Sequence, residues 1–313
     1  MTAHVPLGAG GEFDRIRKIL DRLGTRAAPT GDDCAIVTIG AETLAISTDM
    51  VTEGTHFRAG WLRPWEIGWR AAAAACSDLA AVAAEPQGLL ASVGAPAGWS
   101  GEVLADLMDG VAAVAESIGA VVWGGDLVRS ERLVIDLTVI GRVARAVRRS
   151  GGQVGDGLWV TGRLGGPLAA LRALEEGRDP HPSARERFAH PVPRIAEAEW
   201  MRDRGATAMI DLSDGLLGDV GHLAAASGVR CVLELERVPA HPSVGAPSDA
   251  LVSGEEYELL AAMSEDFGEE DAAEFQKRFD LPLTQIGEAR EGQGAVVLWN
   301  GEPMDIGDGF QQF

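Results

Sequence analysis

The chain has 313 residues, 46% of them hydrophobic, and a formal net charge of -20 at pH 7. That length fits two domains of ordinary size, and the charge argues against a nucleic-acid or anionic-membrane surface, both of which need clustered Lys and Arg. Lys18 and Lys277 are the only lysines, so no glycine run ends in the lysine with which a P-loop holds phosphate.

Cys34, Cys76 and Cys231 lie far apart without a C-x-x-C pair, which speaks against a disulfide framework or a zinc site. They read as small buried hydrophobes in a reducing compartment. The first residues carry no apolar segment of signal-peptide type. The alanine-rich run 71–84 is broken by Asp78 and is too short and polar to span a bilayer. The expectation is a soluble protein of the cytoplasm.

In chain order, 12–23 reads as a helix closed by Gly24 at a left-handed cap position. Two strands follow, CAIVTI (34–39) and TLAIST (43–48), joined by a turn at Gly40. Pro64 opens a helix that continues through 71–84 and stops before Pro86, and Ser100 N-caps another that ends at Gly119. AVVW and RLVIDLTVIGRV are β-rich and separated by GGDLVRSE. This half reads strand-strand-helix-helix-strand-strand, an α+β order. The Arg- and Gly-rich stretch 145–157 has no periodicity and marks a boundary, giving domains 1–147 and 148–313. Beyond it come the strand LWVTG with a Gly-rich turn and helix, and the strand TAMID leading into a helix within LSDGLLGDVGHLAAASG. The strand YELLAAM, a helix over 269–279 and two strands turned at Asn300-Gly301 close the chain.

Several carboxylates sit at strand ends or in apolar or Gly-rich settings: Asp32, Asp33, Asp49, Asp78, Asp126, Asp211 and Asp214. Singly, most read as turn residues, and Asp214 as a first-turn acid beside an N-cap Ser213. Asp78 is harder to dismiss, because an aspartate among closely packed alanines needs a partner to offset its desolvation. If these acids converge with so few lysines nearby, divalent cations must separate them, and oxygen donors favour Mg²⁺ over zinc or copper. Such a site suits metal-run phosphoryl transfer. A scattered acidic surface has the same residue types, and the residues alone leave both open. Arg149 could place a planar guanidinium on phosphate or be a solvated linker charge, and His56 could be a ligand or a structural histidine.

Taken together, GEF, GDDCA, STDMVTEGTHF, SDLAA, GGD, RSGGQVGD, VTG, IDLSDGL and GEEYELL occur in one order along nearly the whole chain. In that order they resemble the thiamine-monophosphate kinase family, of the aminoimidazole ribonucleotide synthetase-like superfamily. The resemblance implies a two-domain α+β fold, with an N-terminal ATP- and metal-binding domain that dimerises through its sheet and a C-terminal α/β domain. It implies transfer of the γ-phosphoryl of ATP directly to thiamine monophosphate. Asp33, Ser47, Thr48, Asp49, Asp78, Asp126, Asp211 and Asp214 match magnesium positions, with Asp49, Asp126 and Asp214 the catalytic ones. Gly125, Asp126, Arg149 and Ser213 match ATP contacts; His56, Glu255 and Phe310 match the thiamine-phosphate side. GGDLV lacks the threonine that commonly follows the aspartate, and Glu256 stands where the family usually has Asp. Within the superfamily the runner-up is another ATP-dependent enzyme, such as aminoimidazole ribonucleotide synthetase or the hydrogenase-maturation dehydratase; the latter and selenophosphate synthetase would add a reactive cysteine that these motifs lack. A non-catalytic nucleotide-binding protein of the same fold is the alternative from another class. The strand-rich first half would otherwise expose open edges, so a homodimer is expected.

Overall fold

The structure is a computed structural model that describes residues 4–6, 8, 11–28 and 30–304, without the side chain of Glu12. Helix α1 (Gly11–Leu23) precedes the hairpin β1 (Ala35–Ile39) and β2 (Glu42–Thr52). Then come α2 (Pro64–Ala81), β3 (Glu85–Ala95), α3 (Gly101–Ser117), β4 (Val121–Arg129) and β5 (Val134–Arg142). The strands line up as β1-β2-β5-β3-β4, antiparallel except for β3 with β4. Alternation along β5 is regular: Ile135, Leu137 and Val139 are buried on the face that carries α2. Asp136 and Thr138 turn to the other face, where Met50 and Leu90 stay exposed.

In this half two elements differ from the sequence reading. The α2 helix stops at Ala81 instead of continuing through 84, and the EPQGLLASVGA segment beyond it, to which the sequence reading gave no element, is the strand β3. Pro86 is tolerated because the β3–β5 ladder slips between Pro86 and Gly88, an irregularity where a missing N–H costs little. Strand β4 likewise runs straight through Gly124, Gly125 and Asp126, which had read as a separator.

The second half continues with β6 (Gly157–Thr161), α4 (Gly166–Glu175), α5 (Pro182–Ala189), α6 (Ile195–Asp203), β7 (Ala206–Asp211) and α7 (Leu216–Ser227). It ends with β8 (Arg230–Glu234), α8 (Asp249–Val252), β9 (Leu259–Met263), α9 (Glu269–Phe279), β10 (Leu283–Arg290), β11 (Gly294–Trp299) and β12 (Glu302–Pro303). Its sheet order is β12-β11-β8-β10-β6-β9-β7, with β8 and β11 the parallel pair. Asn300 and Gly301 both have positive φ, as a two-residue hairpin turn requires. No helix among the described residues is long and apolar enough to cross a membrane.

Helix α2 joins the halves. Ala71, Ala72, Ala73, Ala74 and Ala75 are buried, and one apolar core runs from Leu89, Val111 and Leu137 past them to Trp200, Met209 and Phe275. Side chains this small let α2 lie close to the sheet, to α3 and to β7 at once. The α2–α3 crossing is tightest at two glycines: a Cβ on Gly68 would stand 1.9 Å from the Leu107 carbonyl oxygen, and one on Gly110 2.0 Å from that of Trp65. Gly110→Ala should therefore force the helices apart and cost about 1–3 kcal/mol in urea denaturation. An unchanged midpoint would show that the crossing can open without loss.

Candidate active site

Asp33 comes from the turn before β1, Asp78 from the interior of α2 and Asp211 from the last residue of β7. One carboxylate oxygen of each lies within 4.8 Å of the others; Asp33 and Asp211 are buried and Asp78 half-buried. Three like charges at that spacing repel unless something intervenes. Each carboxylate has one hydrogen-bonding partner holding it. The Ser47 hydroxyl donates to Asp78 Oδ2 at 2.5 Å and that of Ser77 to Asp211 Oδ2 at 2.7 Å. Arg149 grips Asp33 with its fork, Nε to Oδ2 at 3.1 Å and Nη2 to Oδ1 at 2.5 Å. Behind it, the Arg149 backbone N–H and the Arg148 guanidinium hold Asp32, at 2.9 and 3.1 Å.

These surroundings move the titrations. Desolvation, then the charges of Asp211, Asp33 and Asp49, push Asp78 well above the ordinary carboxylate range. Desolvation and Asp33 raise Asp211 to about 7. Burial also raises Asp49, partly opposed by His56, and it raises Asp214 and Asp219. Desolvation alone would lower the Arg149 guanidinium, but the charge and hydrogen bonds of Asp33 outweigh it, so Arg149 is raised.

A cleft of about 310 Å³ opens beside the cluster, lined by Asp49, Asp78, Asp211, Ser213 and Asp214. The lining also includes Thr55, His56, Phe188, Glu255 and Tyr257, with Pro167, Leu168 and Leu171 from the start of α4. The Thr52 N–H donates to His56 Nδ1 at 3.0 Å, so a neutral ring carries its proton on Nε2. Ser213 and Glu255 are joined directly, the Glu255 N–H donating to the Ser213 carbonyl at 2.7 Å.

Asp49 lies inside β2, which runs to Thr52, and not beyond its end. Asp214 is not a first-turn acid next to an N-cap serine: the cap of α7 is Gly215, whose N–H donates to Asp219 Oδ2 at 3.1 Å. The chain does not bring every expected residue to the cluster. The Thr48 side chain points to the opposite face of the sheet, where its hydroxyl donates to Asp136 Oδ1 at 2.7 Å. Gly125 and Asp126 are exposed on the edge strand β4, three strand spacings from β2, about 14 Å. Phe310 lies outside the described residues.

Residues 31–143 match the family model described as AIR synthase related protein, N-terminal domain, and residues 153–300 match that of its C-terminal domain. The thiamine-monophosphate kinase of Methanospirillum hungatei is 36% identical over 83% of this chain and 86% of its own length. That of Salmonella typhimurium is 33% identical over 94% of this chain and 98% of its own length. The chain belongs to the thiamine-monophosphate kinase family. Among solved structures, AaThiL complexed with AMPPCP and TMP superposes with a TM-score of 0.85 at 29% identity, covering 97% of each chain. The two-domain α+β fold expected for the family is the fold observed.

Several cleft or cluster residues escaped the reading of the sequence as a member of this family. Ser77 adjoins Asp78, Phe188 sits in a stretch of short proline-flanked helices without clear periodicity, and Tyr257 is the chain's only tyrosine. Arg70 carried a signal, an arginine on the same helical stripe as Asp78 in an alanine run.

Asp211 sets a pH dependence. Its folded value is raised from the ordinary 3.8 to about 7, so ionising it favours the unfolded chain. The ion-free protein should then lose stability as pH rises between those values, and a divalent cation that replaces the proton should restore it. Melting temperatures at pH 5 and 7.5 should show a larger Mg²⁺-induced rise at the higher pH. A larger rise at pH 5 would contradict this.

Proposed function

We propose that this chain transfers the γ-phosphoryl group of ATP to the phosphate of thiamine monophosphate, giving thiamine diphosphate and ADP. The observation that carries the reading is the carboxylate cluster of Asp33, Asp78 and Asp211 at the edge of the cleft, in a chain of this family. Hard oxygen donors without a thiolate or paired imidazoles fit Mg²⁺, and Asp33, Ser47, Asp49, Asp78, Asp211 and Asp214 would hold it. Bound there, Mg²⁺ supplies the positive charge that lets two anionic substrates meet. Thr48, with its side chain turned away, would join through its main chain.

The protein's own part is positioning. A phosphate oxygen of the acceptor attacks the γ-phosphorus, the bond to the β,γ-bridging oxygen breaks, and ADP leaves. The acceptor oxygen is already nucleophilic at neutral pH, so no activated side chain is required. Ser213 and Arg149 take the nucleotide side. His56 offers Nε2–H to the acceptor phosphate, while Glu255 beside the apolar wall of Leu168, Leu171 and Phe188 suits a cationic ring. Phe310 keeps its assignment to the acceptor side as part of this proposal. A cytoplasmic location belongs to the same reading, and the three buried, unpaired cysteines support it.

The same reading includes a homodimer through the N-terminal sheet. Val121, Trp123 and Val128 on β4, with Met50 and Leu90, are large apolar side chains left exposed on this sheet. Asp126 pairs in register with Ser92, and Ser92 with Asp136 and Asp136 with Met50, one row on the open face. Asp126 therefore reaches a metal cluster only from a second copy, so each site would combine Asp49 of one subunit with Gly125 and Asp126 of the other.

ADP release that requires both thiamine monophosphate and Mg²⁺ tests the reaction, and no release with any phosphate acceptor would refute it. Asp49→Asn should lower kcat by roughly two or more orders of magnitude, the scale of losing a key electrostatic contact. The shared site has its own test. Asp49→Asn and Asp126→Asn subunits, each inactive alone, should on random mixing recover about a quarter of wild-type activity, one competent site in each mixed dimer. No recovery in dimers shown to have exchanged would place Asp126 outside the site.

A further inference from the structure

We infer that Arg70 is a positioning residue for the acceptor side of the cleft, acting across the two halves of the molecule through Glu255 and Phe188. This rests on the proposed function, because it assigns a consequence to acceptor binding.

Arg70 is 1% exposed and belongs to α2, in the N-terminal half. Its guanidinium engages only second-half partners by its two terminal nitrogens: Nη1 donates to the Phe188 carbonyl and Nη2 to Glu255 Oε2. Its central carbon lies 4.2 Å from the centroid of the Phe188 ring, and Nε has no hydrogen-bond partner among the described residues. A desolvated cation in this setting is held by a carboxylate, a carbonyl and an aromatic face together. In return it fixes them. Glu255 and Phe188 both line the cleft, so their placement there depends on Arg70.

The rest of α2 explains why this matters for the reaction. Arg70, Ala74 and Asp78 stand at i, i+4 and i+8, one stripe of the helix. Ala74 and Asp78 line the same cleft. At 1.5 Å rise per residue, the Cα atoms of Arg70 and Asp78 are about 12 Å apart. One rigid helix thus carries a cluster carboxylate at one point and, about two turns away, the group that orients Glu255. The spacing between the reacting phosphates and the recognised end of the acceptor is set by α2. An acceptor whose distal group is misaligned there loses the in-line geometry that transfer needs.

The test uses the full chain with Mg²⁺-ATP and thiamine monophosphate. Absence of ADP formation by the wild-type enzyme with this acceptor would refute the proposed function itself, before Arg70 is considered. With an active wild type, Arg70→Met, of similar length but uncharged, should raise the KM for thiamine monophosphate by about tenfold or more while leaving the KM for ATP nearly unchanged. In a Glu255→Gln background the same substitution should add almost nothing, since the partner through which it acts is already neutral. Arg70→Lys keeps a charge without the fork and should fall between, and it serves alone if Arg70→Met does not fold. Equal rises in both KM values, or full additivity with Glu255→Gln, would reduce Arg70 to a structural residue and overturn the inference.

Discussion

Asp33, Asp78 and Asp211 are drawn from three separate elements to within 4.8 Å of one another, and the fold must hold them there against their own repulsion. The chain has almost no lysine to spend on the problem, and the guanidinium bonded to the trio is that of Arg149, which holds Asp33. Asp78 and Asp211 are held by the hydroxyls of Ser47 and Ser77, which orient an oxygen without cancelling its charge. The repulsion is therefore left standing, and burial magnifies it by removing water. This is the arrangement expected where charge is to be supplied by something bound, since a fully neutralised cluster would have little affinity left for cations.

The opposing stabilisation lies in the core, and α2 concentrates it. Its five consecutive buried alanines leave room for β2 and β5 on one side, α3 on another, and α5, α6 and β7 of the second half. The contact between halves is extended by Glu66, whose carboxylate meets Arg185 Nη2 at 3.0 Å, and by Trp69 Nε1 donating to the Pro191 carbonyl at 2.8 Å. Glu66 is lowered even though desolvation, the largest influence, works against it: the Arg63 N–H and Arg185 win. Small residues in the helix centre and polar ties at its N-terminal end let one element carry functional groups without rotating or sliding.

Much of this was legible in the sequence, for physical reasons that differ by element. Periodicity and punctuation were enough for β1, for the helix opened by Pro64, for the Ser100-capped helix and for the helix over 269–279, because local preference and tertiary demand agree there. They failed where a ladder overrode local chemistry: Pro86 inside β3 and the Gly124-Gly125 pair inside β4 read as breaks, yet both lie in strands whose ladders slip locally and then continue. Most cluster residues could be named from ordered motifs, but their directions could not. Thr48 lies between Ser47 and Asp49, and the two-residue period of a strand sends it to the other face. Asp126 likewise belongs to a row that faces outward, which only register reveals. The stripe that Arg70 shares with Asp78 could be read from the sequence, but its partners, Phe188 and Glu255, could not, because they are more than a hundred positions away.

The segment that carries Glu255 ties together the two sides proposed for the substrates. Glu255 and Tyr257 adopt φ of 58° and 52°, a left-handed conformation that non-glycine residues seldom take and that persists only where surrounding structure holds it. The holding groups can be named. Glu255 N–H donates to the Ser213 carbonyl at 2.7 Å and Tyr257 N–H to that of Leu212 at 2.9 Å. Just after Tyr257, the Glu258 carboxylate is fixed by the Arg194 fork at 2.9 and 2.6 Å and by the Thr161 hydroxyl at 2.6 Å. With Arg70 on its side chain and Ser213 on its amide, Glu255 cannot shift without disturbing the turn that leads to Asp214. A displacement at Glu255, proposed for the acceptor side, would thereby reach the residues proposed for nucleotide and metal over a short covalent and hydrogen-bonded path. Strain in this loop is thus the cost of a fixed distance between the two substrate sides, and an in-line transfer needs that distance held before either substrate arrives.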